Sequence, residues 1–330
     1  MTRPHPVPAP LVLLPPDPQG WDFGDYNYAL EPLTLPHPHH PGAPPGALST
    51  DDVQGAFLRL AEQNSTGLGA LRTAAEDSRE RLFWFRWITG HHISFILWRL
   101  IADALDRLAA GEDDPEELTA TITHYVRGYG RALLYTGSVP RTVYTTVIRP
   151  GMHRHHTAFS GTWAPDYQPV RRLLRGHHRP HATNDATARL EQQVHSTRRL
   201  HLDVASKLVP SGRSLLAEAT TGRRPPRPRA RGTIFDCYFL TVRAPVSQPQ
   251  IAAQLLRRHK ALAIDLATNH LHPGGTDDPP GRPRSTSTPR HVHEITEPLL
   301  RAAGLAAGLA PGRVDEELNR LGLDPDPDAL

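Results

Sequence analysis

Twenty histidines in a chain of 330 residues are its first chemical feature, and several of them sit where an imidazole could act. His201 lies among Leu190, Val194, Thr197, Ala205 and Leu208. At about 100° of rotation per residue these positions share one stripe of an α-helix, with His201 at its middle. His195 is turned about 240° from that stripe and is next to Arg198 and Arg199, so it points to water. A neutral imidazole on an apolar face can ligate a metal or relay a proton near neutral pH. A hydrogen-bonded core histidine is the plainer reading of the same pattern.

A second pair, His91-His92, is embedded in the aromatic run Phe83-Trp84-Phe85-Arg86-Trp87-Ile88 and Phe95-Ile96-Leu97-Trp98. His92 shares a stripe with Phe85, Ile88, Phe95 and Ile96, and His91 lines up with Trp84, Trp87 and Trp98. Either ring could be buried among aromatics. Gly90, placed inside a helix at a cost of about 1 kcal/mol relative to alanine, signals a close approach to the backbone, and a helix crossing is its simplest cause. A third cluster, Arg149-Pro150-Gly151-Met152-His153-Arg154-His155-His156 followed by Ala158-Phe159-Ser160-Gly161-Thr162-Trp163, reads as an irregular segment shaped to line a site. Its adjacent histidines lack a paired acid or cysteine, so solvated loop histidines are expected there and a preformed metal cage is not.

Composition narrows the classes. A single cysteine, Cys237, excludes an internal disulfide framework and a four-cysteine cluster. The balance of 37 basic against 34 acidic residues gives a net charge of +3 and does not indicate nucleic-acid binding. No uncharged run approaches the length of a transmembrane helix, and the N-terminus lacks a secretory signal, so the expectation is a cytoplasmic protein off the membrane. No phosphate-cradling glycine loop is present.

The elements that must position these side chains are mostly helical. Caps at Ser49-Thr50-Asp51-Asp52 and Asp77-Ser78 predict helices through Val53, Phe57 and Leu60 and from about Arg79 to Ala110. Further helices are predicted near Pro115 to Tyr135, Ala186 to Leu208 and Gln248 to Thr268, with a strand at Thr233 to Val242. The second helix is apolar on nearly every side and should be central. Thirteen prolines within residues 1–50 predict an extended arm on the surface. The helical catalytic domain is expected over residues 51–272 with an internal linker at 222–232. Residues 273–330 are expected to be a flexible loop and a helical tail.

His92 followed by Trp98 in His-Ile-Ser-Phe-Ile-Leu-Trp resembles the distal-histidine helix of the tryptophan 2,3-dioxygenase superfamily. The order of Ser160-Gly161, His201 and Ser211-Gly212-Arg213-Ser214 is similar too. The segments Ile148-Arg149-Pro150-Gly151-Met152, Ala158 to Trp163 and Leu208 to Leu216 resemble more closely its branch of histidine-ligated haem-dependent L-tyrosine hydroxylases. The resemblance spans roughly Asp52 to Leu266.

It implies a mainly α bundle around a b-type haem, with His201 as axial iron ligand, His92 as distal acid–base, and Phe85, Ile88 and Trp98 lining the cofactor. It implies hydroxylation of L-tyrosine to 3,4-dihydroxyphenylalanine with hydrogen peroxide, or dioxygen with a reductant, in natural-product biosynthesis. Arg149, with Arg141 behind it, would hold the substrate carboxylate, aided by Ser160 and Gly161, because a guanidinium suits bidentate contact. A homodimer is expected by the same analogy. A relative acting on 3-methyltyrosine attaches its haem through His-x-x-x-Cys; here His201-Leu202-Asp203-Val204-Ala205 ends in alanine, so covalent attachment is not expected. Ile93, where tryptophan dioxygenases carry glutamine, argues against indole dioxygenation. Two alternatives stay open: the same fold acting on a modified tyrosine or an indole, and a non-catalytic haem-binding or interaction protein using the Arg223 to Arg231 segment.

Overall fold

A computed structural model describes residues 30–38, 48–65, 78–177, 185–219, 226–272 and 289–323. The architecture is mainly α, as expected. Ser78 starts helix α2 (Arg79–Ala110) by accepting the Arg81 amide on its hydroxyl, and Gly111 closes it in the left-handed conformation at φ 68°. Asp114 then caps α3 (Pro115–Gly137), with Pro115 in its first turn. The connection is short, so the two helices lie side by side as the centre of the bundle. Around them pack α1 (Thr50–Ser65), α6 (Tyr167–Leu174), α7 (Asp185–Leu208), α10 (Gln248–Asn269) and α11 (Pro289–Ala306), with α12 (Pro311–Arg320) against α11.

Small residues set the spacing at the two crossings that matter for the site. A Cβ on Gly90 of α2 would lie 2.0 Å from Thr136 Oγ1 of α3, so this glycine marks a helix crossing. A Cβ on Gly137 would lie 2.6 Å from Val204 Cγ2, which brings the C-terminal half of α7 hard against α3.

The two sides of α2 differ in chemistry. Toward α10, the fully buried Arg86 donates from Nε to Asp265 Oδ2 at 2.7 Å and from Nη2 to Oδ1 at 3.3 Å. It also donates to Ser138 Oγ and to the carbonyls of His270 and Leu271. Tyr135 Oη and Asn269 Nδ2 donate to the same carboxylate. A buried ion pair is tolerated when its remaining valences are met in this way. Toward the other side, Trp84, Trp87, His91, Phe95 and Trp98 look into an aromatic cluster.

Three sequence expectations change. Within the expected surface arm, Leu33–Leu35 form strand β1, pair in parallel with β2 (Thr241–Arg243), and are buried. Gln254 of α10 holds Thr34 by both its backbone amide and its carbonyl. The rest of the arm, residues 1–29 and 39–47, lies outside the described residues, as do residues 222–225 of the expected linker and the 273–288 loop; residues 228–232 of that linker are helical.

The expected strand at Thr233 to Val242 is instead helix α9 (Pro228–Tyr238) followed by β2. Phe235, Tyr238 and Phe239 are spaced i, i+3, i+4, a helical stripe that packs on Phe95 and Phe159 and overrides local strand preference. The expected irregular segment at Arg149 is helical too. Helix α4 (Arg141–Val143) runs through a π-helical turn at Tyr144–Ile148 into α5 (Arg149–His155). The wider turn immediately precedes Pro150, whose ring and missing amide an ordinary helix interior does not accommodate. Residues 161–163 form a 3-10 turn.

Candidate active site

His91 of α2 and His201 of α7 lie close enough for the charge of one to act on the other. Burial pushes the His91 imidazole down to about 4; its hydrogen bond to Trp87 opposes this, and the charge of His201 adds to the lowering. The expected inward stripe of α7 holds at Leu190, Val194, Thr197 and Leu208 but not at His201, which is exposed like Ala205, because the stripe leaves the core over this stretch of the helix; its pKa is lowered by desolvation.

The tautomer of His91 follows from its single bond. A backbone carbonyl can only accept, so Nδ1–H donates to Trp87 O at 2.6 Å and Nε2 keeps its lone pair. Among the described residues no group bonds that Nε2, and none bonds either ring nitrogen of His201. The walls around His91 are aromatic: Trp87 at 4.3 Å, Phe239 stacked at 4.5 Å and 28°, and Phe95 edge-on at 5.9 Å. Phe159, Phe235 and Tyr238 extend this wall, and burial raises the Tyr238 phenol above its ordinary range.

His92 is placed differently. Its Nε2–H donates to Phe239 O at 2.5 Å, and Arg258 Nε donates to its Nδ1 at 3.3 Å. Both nitrogens are engaged, and burial together with the Arg258 charge holds the ring well below the usual histidine range. The physical reason is its stripe: His92 lies seven residues, about two helical turns, from Phe85, and both face α10. Phe85 packs with Leu82, Ala261 and Ile264, on that same side. Ile88 is fully buried in the main core. Trp98 lies on the His91 side, 5.4 Å from Tyr129 and 5.2 Å from Tyr167.

The expected carboxylate-binding residues are only partly assembled. Arg149 hydrogen-bonds the Tyr144 hydroxyl, and Tyr144 packs 5.7 Å from Trp87, so the guanidinium borders the His91 wall. It is already paired, with Glu218 Oε2 of α8 (Leu215–Glu218) at 2.8 Å and with Arg213 O at 3.1 Å. Arg141 is exposed at the start of α4. Ser160 accepts the Thr162 amide and bonds its hydroxyl, capping the 3-10 turn, and Gly161 is exposed beside it. Glu218, Phe239 and Arg258 were not singled out from the sequence. The stripe of His91 with Trp84, Trp87 and Trp98 was the signal that pointed to the right face.

Among the described residues no three metal-ligating side chains converge on one point. A haem iron brings four nitrogens of its own and asks the protein for as little as one axial imidazole. His201, exposed and with no bond on its ring among the described residues, leaves a nitrogen free for that demand. The Nε2 of His91 remains open for a proton.

Fold and site therefore define a helical protein with one imidazole, His91, set in an aromatic wall and a second, His201, exposed on α7 within electrostatic reach of it. Residues 39–193, a little under half of the chain, match the SfmD 3-methyl-L-tyrosine peroxygenase family. The matched stretch includes His91, His92, Arg149 and Ser160 and ends before His201. It supports a relationship to peroxygenases of tyrosine-type compounds. No curated protein matches the chain. Among the described residues no helix is long and apolar enough to cross a membrane.

Proposed function

We propose that this protein is a haem-dependent hydroxylase that uses hydrogen peroxide to convert L-tyrosine to 3,4-dihydroxyphenylalanine. His201 is its axial iron ligand and His91, in place of His92, its distal acid–base. The observation that carries the reading is the His91–His201 pair. Its support from outside the site is the peroxygenase match over residues 39–193, from before α1 to the first turns of α7.

When bound, the haem supplies the oxidising centre that delivers one oxygen atom of peroxide to the ring and leaves water. The chain's own groups do the rest. His91 Nε2 is unprotonated at neutral pH, because desolvation holds its pKa near 4, so it can accept a proton from peroxide or from the phenol and return it. Its Nδ1–H, fixed on Trp87 O, keeps that nitrogen aimed. Phe95, Phe159, Phe235 and Phe239 exclude water and offer flat faces to an aromatic ring. Arg149 can exchange Glu218 for the substrate carboxylate. With Ala205 four residues after His201, there is no thiol for covalent attachment at that position, which favours a b-type haem.

A second reading keeps the chemistry and changes the substrate. The matched family is named for 3-methyl-L-tyrosine, so a ring-substituted tyrosine is the nearest alternative.

The test is an absorption spectrum of protein produced with a haem precursor, followed by turnover of L-tyrosine, 3-methyl-L-tyrosine and L-tryptophan with peroxide. A Soret band that shifts with L-tyrosine, and a product heavier by one oxygen, are expected. Its loss in His201→Ala, and retained haem with lost turnover in His91→Ala, complete the expectation. No Soret band from folded, haem-supplied protein overturns the reading.

A further inference from the structure

Between the N-terminal strand and the proposed acid–base runs a continuous chain of contacts. Glu31 Oε2 pairs with Arg257 Nε at 3.2 Å and stands 3.7 Å from Arg258 Nη1, while the Glu31 carbonyl accepts from Arg258 Nη2 at 3.0 Å. Arg258 Nη1 also donates to Gln254 O, and its Nε donates to His92 Nδ1. That bond leaves His92 one tautomer, with the proton on Nε2, and this proton goes to Phe239 O. The Thr241 hydroxyl reaches the same carbonyl at 3.4 Å.

Phe239 is the C-cap of α9, and the next residue, Leu240, has φ 51°, a conformation that a branched side chain adopts at a cost. The turn is held from one side by His92 and from the other by strand pairing through Leu240 O, which accepts the Leu33 amide. The Phe239 ring lies on the face of His91. His91 makes one hydrogen bond, from Nδ1 to Trp87 O, and the Phe239 ring stacked on its face helps hold the imidazole in the plane that this bond requires.

We infer that His92 is a positioning residue: its Nε2–H fixes the Phe239 carbonyl, and through it the Phe239 ring that orients the His91 imidazole. The inference rests on the proposed role of His91, and extends it to a neighbour that touches neither substrate nor cofactor. Outer partners of this kind contribute on the order of 10- to 100-fold in activity.

The experiment compares His92→Leu, His92→Gln and Phe239→Leu in the full chain. Gln places an N–H where Nε2–H was, Leu removes it, and Phe239→Leu keeps the carbonyl but removes the stacked ring. The first readout needs no haem: long-range nitrogen–proton spectra of 15N-histidine protein, with His91 assigned by its absence in His91→Gln. His92→Leu and Phe239→Leu should move the His91 ring signals from the single Nδ1–H tautomer toward a tautomer mixture, and His92→Gln should leave them in place. The second is turnover of haem-loaded protein at equal Soret absorbance, expected to fall about tenfold or more in the two Leu variants and to stay within about threefold in His92→Gln.

Unmoved His91 signals in both Leu variants overturn the inference, and so does a His92→Gln protein as altered as His92→Leu. If His92→Leu fails to fold, Phe239→Leu decides alone. Absence of haem from every variant would sink the hydroxylase reading, while the ring signals would still decide whether His92 orients His91.

Discussion

Arg149 and Glu218 form an ion pair of 2.8 Å that ties α5 to the short helix following α7. The arginine proposed for the substrate carboxylate is thus held in place by a carboxylate of the protein, beside Tyr144 and the Trp87 wall. Substrate would replace one anion by another, and the competition sets the apparent affinity. Glu218→Gln should lower KM for L-tyrosine about three- to tenfold with little change in kcat, as a half-exposed ion pair holds only modest energy. Arg149→Ala should raise KM about tenfold or more. Steady-state kinetics at saturating peroxide separates the two; an unchanged KM in Arg149→Ala would place the carboxylate elsewhere.

The acid–base assignment has a pH signature. His91 acts as a base only when unprotonated, and its pKa is about 4. The acid limb of kcat/KM should therefore fall near pH 4, well below the ordinary histidine range near 6.5. His91→Ala should lose about 100-fold or more in turnover and keep its haem. A limb at 6.5 that persists in His91→Ala would assign the proton transfer to another group.

Stability should follow the same histidines in the opposite sense from a salt bridge. His91, His124 and His259 are each lowered to about 4, chiefly by burial. In the unfolded chain they titrate near 6.5, so as pH falls through 6.5 the unfolded state takes up protons first and the fold loses stability, until the folded-state pKa near 4 is passed. Each contributes a loss of at most about 3 kcal/mol. Urea midpoints measured from pH 7 to 4 should decline through this window, and less so in His259→Gln, where one titrating group is gone.

The α2–α3 crossing makes a prediction without chemistry. Gly90→Ala would set a methyl 2.0 Å from Thr136 Oγ1, and overpacking of this kind destabilises by about 1–3 kcal/mol. Thermal unfolding should show the loss, and Thr136→Ala in the same chain should recover part of it. Full stability in Gly90→Ala alone would mean that the crossing is loose.

The buried ion pair is a sharper case. Asp265 answers Arg86, Tyr135 and Asn269 at once. Asp265→Asn leaves the Arg86 charge buried without its counter-ion, a change that costs about 3–5 kcal/mol. Chemical denaturation would register it.

Much of this was legible in the residues. Apolar periodicity and capping side chains located α2, α3, α7 and α10 within a residue or two, because caps and stripes act over a few residues of chain. The same geometry singled out His201 at mid-stripe on α7, but its inward direction was not kept: the residue is exposed, because the packing of α7 on α3 and not the stripe decides where the helix leaves the core. The two neighbours on α2 are a different case: the stripe and the six-residue spacing to Trp98 favour His92, yet His91 and His92 both sit on apolar stripes, and the helix alone does not say which stripe meets α10 and which meets α9.

That choice belonged to tertiary structure. Arg258 and Phe239, 166 and 147 positions away along the chain, take both nitrogens of His92, while one local bond to Trp87 leaves Nε2 of His91 open. The same holds for β1, whose proline-rich surroundings read as an exposed arm until Gln254 and β2 supply partners for its backbone. Sequence by itself determined the helices and the histidines worth watching, since those depend on neighbours in the chain. Which imidazole keeps a lone pair depends on donors and acceptors brought from distant segments, and only the folded structure decides that.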